Sequence, residues 1–195
     1  MDAKRAFDLV LGSVALVVAT PLLLVMAAAM RLSGDRGPFL FRARRVGAGG
    51  ATFTVLKVRT MSPGAPGSGI TGPRDARITP IGRVLRRYRF DELPQLVNVL
   101  RGEMSLVGPR PEDPRFVDWS APVHRRVFSA RPGITGLAQL EFRDEAKRLA
   151  GPDIEEQYRN EILPAKLQVD LAYLDRQSMM LDLRIIARTV RTLFR

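Results

Sequence analysis

The sequence predicts an α+β fold, mostly helical, with an N-terminal re-entrant membrane helix-break-helix, interfacial amphipathic helices and one small β-hairpin. Three observations predict it. No charged residue occurs from Leu9 to Met30; two short runs rich in Phe, Val and Thr flank a glycine-rich loop; and helical periodicity sets in from Ile81 onward. At 195 residues the chain has the size of one ordinary domain, or one domain with a short appendage. The expected division is a re-entrant membrane segment over 1–34 and a larger folded domain over 35–195, folding as one cooperative unit.

The 22 residues of the apolar run would measure roughly 33 Å as a straight helix, enough to cross a bilayer. Pro21 lies near its middle, where it removes the hydrogen bond to the carbonyl of Val17, while the neighbouring Thr20 hydroxyl can serve a freed carbonyl. Lys4 and Arg5 precede the run, and Arg31, Arg36, Arg42, Arg44 and Arg45 follow it. The positive-inside rule wants both ends in the cytoplasm, which a single crossing cannot satisfy. A helix broken at Thr20-Pro21 can dip into the bilayer and return on the same face. A plain transmembrane anchor, a cleaved signal peptide and a buried core helix are the alternatives; the basic run after the segment and Asp8 before it argue against export.

Phe39 to Val46 and Ala51 to Val58 read as the strands of the hairpin, joined by Gly47-Ala48-Gly49-Gly50. The Gly, Pro and Ser mixture that follows, residues 62–73, reads as a loop and raises the question of a lid. Ile81, Val84, Leu85 and Tyr88 form one helical stripe, and Leu93, Leu96, Val97 and Leu100 another. A further helix is expected from Asp153 to Asp175, interrupted by Pro164, and a last one from Leu181 to Phe194. In the last helix Arg184, Arg188, Arg191 and Arg195 share a face suited either to an anionic membrane surface or simply to solvent.

Lys and Arg number 31 against 20 Asp and Glu, a formal charge of +11, so the partner is expected to be anionic. The absence of Cys and the single His exclude disulfide frameworks, thiol nucleophiles and multi-His metal sites. His124 reads as structural, and the scattered aromatics give no nucleic-acid-binding apparatus. Chemistry is left to carboxylates, hydroxyls, Lys and Arg. Asp91-Glu92 follows the Arg-dense stretch Arg83, Arg86, Arg87 and Arg89 and precedes a helix, where ionised carboxylates are favoured and can act as nucleophile, base or magnesium ligand. Asp91 as a plain helix cap is the alternative. In Gly108-Pro109-Arg110-Pro111 two prolines restrict the backbone around an Arg, which then loses less freedom on gripping a phosphate; a rigid turn is the other reading. Arg131-Pro132-Gly133-Ile134-Thr135-Gly136 reads as a turn.

Taken together and in order, Lys4-Arg5 with Asp8, Lys57-Val58-Arg59-Thr60-Met61, Arg77 to Gly82, Asp91 to Leu100, Gly102 to Pro111 and Arg131 to Gly136 resemble the bacterial sugar transferases, the monotopic phosphoglycosyl transferases, in their minimal form. The resemblance implies transfer of a sugar phosphate from a nucleoside diphosphate sugar, usually a UDP-sugar, to a polyprenol phosphate at the cytoplasmic face of the bacterial inner membrane, with release of UMP. It further implies that Asp91 forms a covalent phosphosugar intermediate and that Glu92 helps hold Mg2+. Arg86 and Arg110 match positions associated with phosphate or nucleotide contacts, and Lys57, Arg59 and Asp170 are weaker carry-overs. Lys4, Arg5, Thr20 and Pro21 correspond to the family's re-entrant segment, with Thr20 in place of the usual Ser. Tyr88 and Arg89 stand where Thr-Ser is common. Membrane lipids are the remaining expected partner, nucleic acid is not, and a homodimer is left open. The competing functional readings are a nonenzymatic adaptor for anionic lipid or polyanions, and a direct glycosyltransferase that would release UDP.

Overall fold

The apolar N-terminal run folds as α1 (Ala3–Leu32), a 30-residue helix about 45 Å long. An 18-residue stretch of it reaches a mean hydropathy of 2.5, and by length and composition the helix can cross a membrane. The computed structural model describes residues 3–34, 36–64, 70–71, 75–145, 149 and 153–193. Residues 65–69 and 72–73 of the suspected lid, together with Pro152, Phe194 and Arg195, lie outside the described residues.

Phe7, Leu11, Ala15, Ala19, Leu23, Met26 and Met30 of α1 recur at helical spacing and pack against the rest of the chain. Val10, Val14, Val17, Val18, Leu24 and Val25 are more than half exposed. The helix therefore presents one apolar stripe to the protein and another outward. Helical structure continues on both sides of Pro21, and the Thr20 hydroxyl donates to the carbonyl of Leu16 at 2.7 Å, not to that of Val17.

Polar residues fix the start of α1. Arg5 donates to the carbonyls of Val99 and Leu100 at 2.6 and 2.9 Å, serving the C-terminal end of α3 (Gln95–Arg101). Asp8 is fully buried and accepts from the Ser105 hydroxyl and the Leu106 amide, both at 3.0 Å. Lys4 bridges Asp182 and the carbonyl of Val107.

The expected hairpin is present as β1 (Leu40–Val46) antiparallel to β2 (Thr52–Val58), with Leu40 opposite Val58 and Val46 opposite Thr52. Gly49 and Gly50 adopt φ of 66° and 87° in its loop, the left-handed region that favours glycine. Two three-residue strands are less legible in the sequence: β3 (Ser105–Val107) and β4 (Gly133–Thr135) pair in parallel. The second corrects the expectation that Arg131 to Gly136 is only a turn; three residues are too few to show an alternating pattern. A Cβ added at Gly133 would lie 2.1 Å from the amide nitrogen of Gly108, so glycine permits the close approach that seats the Gly108-Pro109-Arg110 turn.

Helices enclose this framework: α2 (Pro80–Arg87), α3, α4 (Pro122–Phe128), α5 (Leu137–Glu141), α6 (Ile154–Gln157), α7 (Leu163–Asp175) and α8 (Met179–Leu193). Pro164 does not break the helical path as expected. A π-helical turn, Tyr158–Ile162, joins α6 to α7 and changes the hydrogen-bond ladder just before the proline that cannot donate to it. Arg184, Arg188 and Arg191 of α8 are exposed, while Ile185 is buried against the core beneath α1. His124 accepts a hydrogen bond from the Asp118 amide at 3.1 Å, the structural role expected of it.

Asn98 knits the hairpin to α3. Fully buried, it donates to the Thr54 carbonyl at 2.8 Å and to Glu103 at 2.7 Å, and accepts from the Leu56 amide at 3.1 Å. Asn98→Ala strands buried β2 backbone groups and is expected to lower the unfolding free energy by about 2 kcal/mol or more. Denaturant unfolding in detergent checks this, and a loss under about 0.5 kcal/mol would contradict it.

Candidate active site

Asp91 and Glu92 occupy a single 3-10 turn, Phe90–Glu92, set between α2 and α3. Pro94, not Asp91, holds the cap position of α3, so the plain-cap reading fails. The turn opens on a cleft of about 1240 Å³. This exceeds the several hundred Å³ typical of a pocket for one small molecule and suits a larger or a second ligand. Lys57 from β2, Arg59 just beyond it, Arg86 from α2 and Arg110 beyond β3 line the cleft with both carboxylates. Residues separated widely in sequence thus meet where the hairpin, α2 and the Arg110 turn converge.

The two carboxylates have different surroundings. The Lys57 ammonium lies 3.0 Å and the Arg110 guanidinium 3.4 Å from Glu92 Oε1, and an Arg89 nitrogen lies 3.7 Å from Oε2. Burial alone would raise the Glu92 pKa, but Lys57, Arg110 and Arg89 outweigh it and hold the carboxyl well below its ordinary range. Among the described residues, no hydrogen bond or ion pair engages the Asp91 carboxylate. Burial and the adjacent Glu92 charge push its pKa up, opposed by Lys57, Arg86 and Arg110. Glu92 is therefore a fixed anion, while Asp91 is a desolvated carboxyl facing a basic cleft.

Arg86 donates to the Thr60 hydroxyl at 2.8 Å and to the Thr71 hydroxyl at 3.3 Å, which orients its guanidinium. Arg59 spends hydrogen bonds on the carbonyls of Pro38 and Met61, at 2.7 and 3.1 Å, and so shapes the cleft wall as well as lining it. Asp170 does not line the cleft. It is buried in α7, with one carboxylate oxygen lacking a hydrogen-bond partner. Lys4 and Arg5 pin α1 to the core, as described above.

The sequence did not single out four further residues of the cleft wall. The Tyr158 hydroxyl donates to Glu112, and Lys166 Nζ lies 3.2 Å from that hydroxyl and 2.8 Å from Glu145. Glu112 directly follows Pro111, a local cue. Tyr158, Lys166 and Glu145 come from the helical half of the chain, where a polar residue facing a cleft and one facing solvent leave the same periodic signal. Arg89 was legible as part of the Arg-dense stretch before the carboxylates, without a contact of its own.

Among the described residues, no cluster of three or more His, Cys, Asp or Glu could hold a metal ion. The Asp91-Glu92 pair still fits a magnesium ion that takes most of its ligands from phosphate and water, as this ion commonly does. Among the described residues the ion pair of Glu92 Oε2 is with Arg89, at 3.7 Å, and Asp91 retains its acceptor capacity.

Burial drives the Asp170 pKa up to about 7. The folded state then keeps a proton that the unfolded chain loses above about pH 4, so this residue costs stability increasingly as pH rises toward 7. Asp170→Asn is expected to gain up to about 4 kcal/mol relative to wild type between pH 4 and pH 8. Parallel stability curves for the two proteins, measured by unfolding across that range, would contradict the buried protonated carboxyl.

Comparison with known proteins identifies the family. The profile of the family described as "Bacterial sugar transferase" matches residues 1–195. The chain is 39% identical over 196 residues to a UDP-glucose:undecaprenyl-phosphate glucose-1-phosphate transferase of Caulobacter vibrioides, covering 97% of this chain and 69% of that protein. It is 35% identical to a UDP-N-acetylgalactosamine-undecaprenyl-phosphate N-acetylgalactosaminephosphotransferase of Aeromonas hydrophila, covering 97% of this chain and 43% of the relative. An uncharacterized sugar transferase of Bacillus subtilis, EpsL, is 35% identical, with 98% and 87% covered. The whole-length profile match, together with relatives above 30% identity, establishes that this chain belongs to the bacterial sugar transferase family.

Proposed function

We propose that the protein transfers a sugar 1-phosphate from a UDP-sugar to a polyprenol phosphate, releasing UMP and leaving a polyprenyl-diphosphate sugar. The observation that carries this reading is the contrast between the neighbouring carboxylates: Glu92 held by three cations, and Asp91 engaged by no hydrogen bond or ion pair among the described residues. An Asp carboxylate oxygen attacks the sugar-bearing phosphorus. The phosphoanhydride bond breaks, its electron pair leaves with UMP, and a covalent aspartyl phosphosugar remains. A phosphate oxygen of the polyprenol then attacks the same phosphorus and expels the carboxylate. The relatives' names, which pair a UDP-sugar with undecaprenyl phosphate, supply the donor and acceptor classes.

Attack by an anion on a diphosphate requires the substrate's charge to be screened. Arg86 and Arg110 are placed to hold phosphate oxygens, and Lys57 joins them around the reacting carboxyl. Glu92 would hold a magnesium ion, which would supply further neutralisation of the phosphate charge. Lys57 and Arg110 also keep Glu92 ionised and in place.

The proposed setting is the cytoplasmic face of the membrane, with α1 entering and leaving on that side. Support comes from its packing. The start of α1 is pinned by Lys4, Arg5 and Asp8, while Met26 and Met30 near its other end pack with Val58 and Leu85 of the same body. One body holding both ends does not suit a single crossing, and the outward valines and Leu24 suit lipid. The exposed Arg184, Arg188 and Arg191 of α8 suit anionic headgroups.

Asp91→Asn is expected to reduce UMP release from a UDP-sugar, in the presence of magnesium and undecaprenyl phosphate, by about 10³-fold or more. UDP as the product would replace the proposed reaction with direct glycosyl transfer, and UMP formed equally by the variant would remove Asp91 as nucleophile. Because Asp91 must be ionised and its pKa is raised, kcat/KM should fall on acidification through a limb above the ordinary carboxylate range. Lys57→Gln removes a cation that opposes this shift and should move the limb to higher pH; an unmoved or lowered limb would contradict the assignment. The chain has no Cys, so single cysteines at Ala3 and Ser33 can report topology. Both should react with an impermeant maleimide only in inside-out vesicles, and opposite sidedness would establish a crossing.

A further inference from the structure

Arg89 is the only non-glycine described residue with positive φ, at 55°. It follows Tyr88, which closes α2, and stands where a chain leaving a helix most often uses glycine. A side chain there is disfavoured, so the backbone supplies no reason for an arginine. Nor does the side chain turn back to the end of its own helix. The guanidinium instead reaches into the cleft, 3.7 Å from Glu92 Oε2 and 3.4 Å from the carbonyl of Gln139. Both contacts are long, and the side chain is 30% exposed. Of the three cations around Glu92, Arg89 makes the longest contact, 3.7 Å against 3.0 Å for Lys57 and 3.4 Å for Arg110.

We propose that Arg89 is a donor-binding residue of this site: its guanidinium leaves its long contacts and grips the diphosphate of the sugar nucleotide beside Asp91. The inference rests on the proposed function for the identity of the donor. Charge supports it. Lys57, Arg86, Arg89 and Arg110 are the foremost cations acting on Asp91 and Glu92. Along the described cleft wall Arg and Lys outnumber Asp and Glu, an excess that suits the negative charges of a nucleoside diphosphate sugar. A guanidinium fork also suits phosphate oxygens better than a single backbone carbonyl at 3.4 Å.

The left-handed backbone makes the test discriminating, because glycine removes the cation and relieves the backbone together. Wild type, Arg89→Gly and Arg89→Lys would be compared in detergent by thermal unfolding, with and without inorganic pyrophosphate, and by donor KM for UMP release. For Arg89→Gly the expected results are an unliganded Tm equal to or above wild type, a smaller pyrophosphate-induced shift, and a donor KM raised about tenfold or more. Arg89→Lys should recover part of both binding losses. A lower Tm in Arg89→Gly would make Arg89 structural, and an unchanged pyrophosphate shift and KM would overturn the proposal. If wild type released no UMP from any UDP-sugar, the donor reading would fail, while the pyrophosphate shift would still decide whether Arg89 binds phosphate.

Discussion

Two adjacent carboxylates can be buried side by side only if enough positive charge is brought to them, and the architecture around Asp91 and Glu92 follows from that constraint. Burial disfavours both anions, and each disfavours the other. Lys57, Arg110 and Arg89 settle the competition at Glu92, which stays ionised. Asp91 receives weaker compensation and keeps a raised pKa. Identical functional groups thus acquire different roles from their surroundings, the general way in which neighbouring acids divide labour in enzyme sites.

Delivering those cations requires the fold. Lys57 comes from the hairpin, which Asn98 ties to α3; Arg110 comes from the turn after β3, seated by the close Gly108–Gly133 approach; and β3 is in turn fastened to α1 through Asp8. The N-terminal apolar helix is therefore part of the support of the site. A Lys, an Arg and an Asp in the first turns of an apolar helix are each used to join that helix to β3, α3 and α8.

Much of this was legible because the relevant signals are local. The hairpin, the apolar helix and the helical stripes follow from period and turn chemistry, and Asp91-Glu92 and Arg110 stand out as charged residues within motifs. The β3–β4 pair was not legible, since two three-residue strands joined across the chain leave no alternation. The continuous path through Pro164 depends on a π-helical turn that propensity does not announce. Asp170 is buried and does not itself line the cleft, though cleft-wall Lys166 and Glu112 act on it, whereas Tyr158, Lys166 and Glu145 reach the cleft only through tertiary packing. Arg89 stood out in the Arg-dense stretch, but its reach into the cleft depends on a left-handed backbone angle, which composition cannot reveal.

The central claim is that the Asp91 carboxylate becomes covalently bonded to the donor's sugar phosphate. The most direct measurement is intact-protein mass spectrometry after mixing the enzyme with magnesium and its UDP-sugar in the absence of polyprenol phosphate. The account predicts a mass increase equal to one sugar phosphate, stoichiometric UMP, no adduct in Asp91→Asn, and loss of the adduct when the acceptor is added. An unmodified protein that releases UMP only when the acceptor is present would contradict it, and so would an adduct mapped to any other residue.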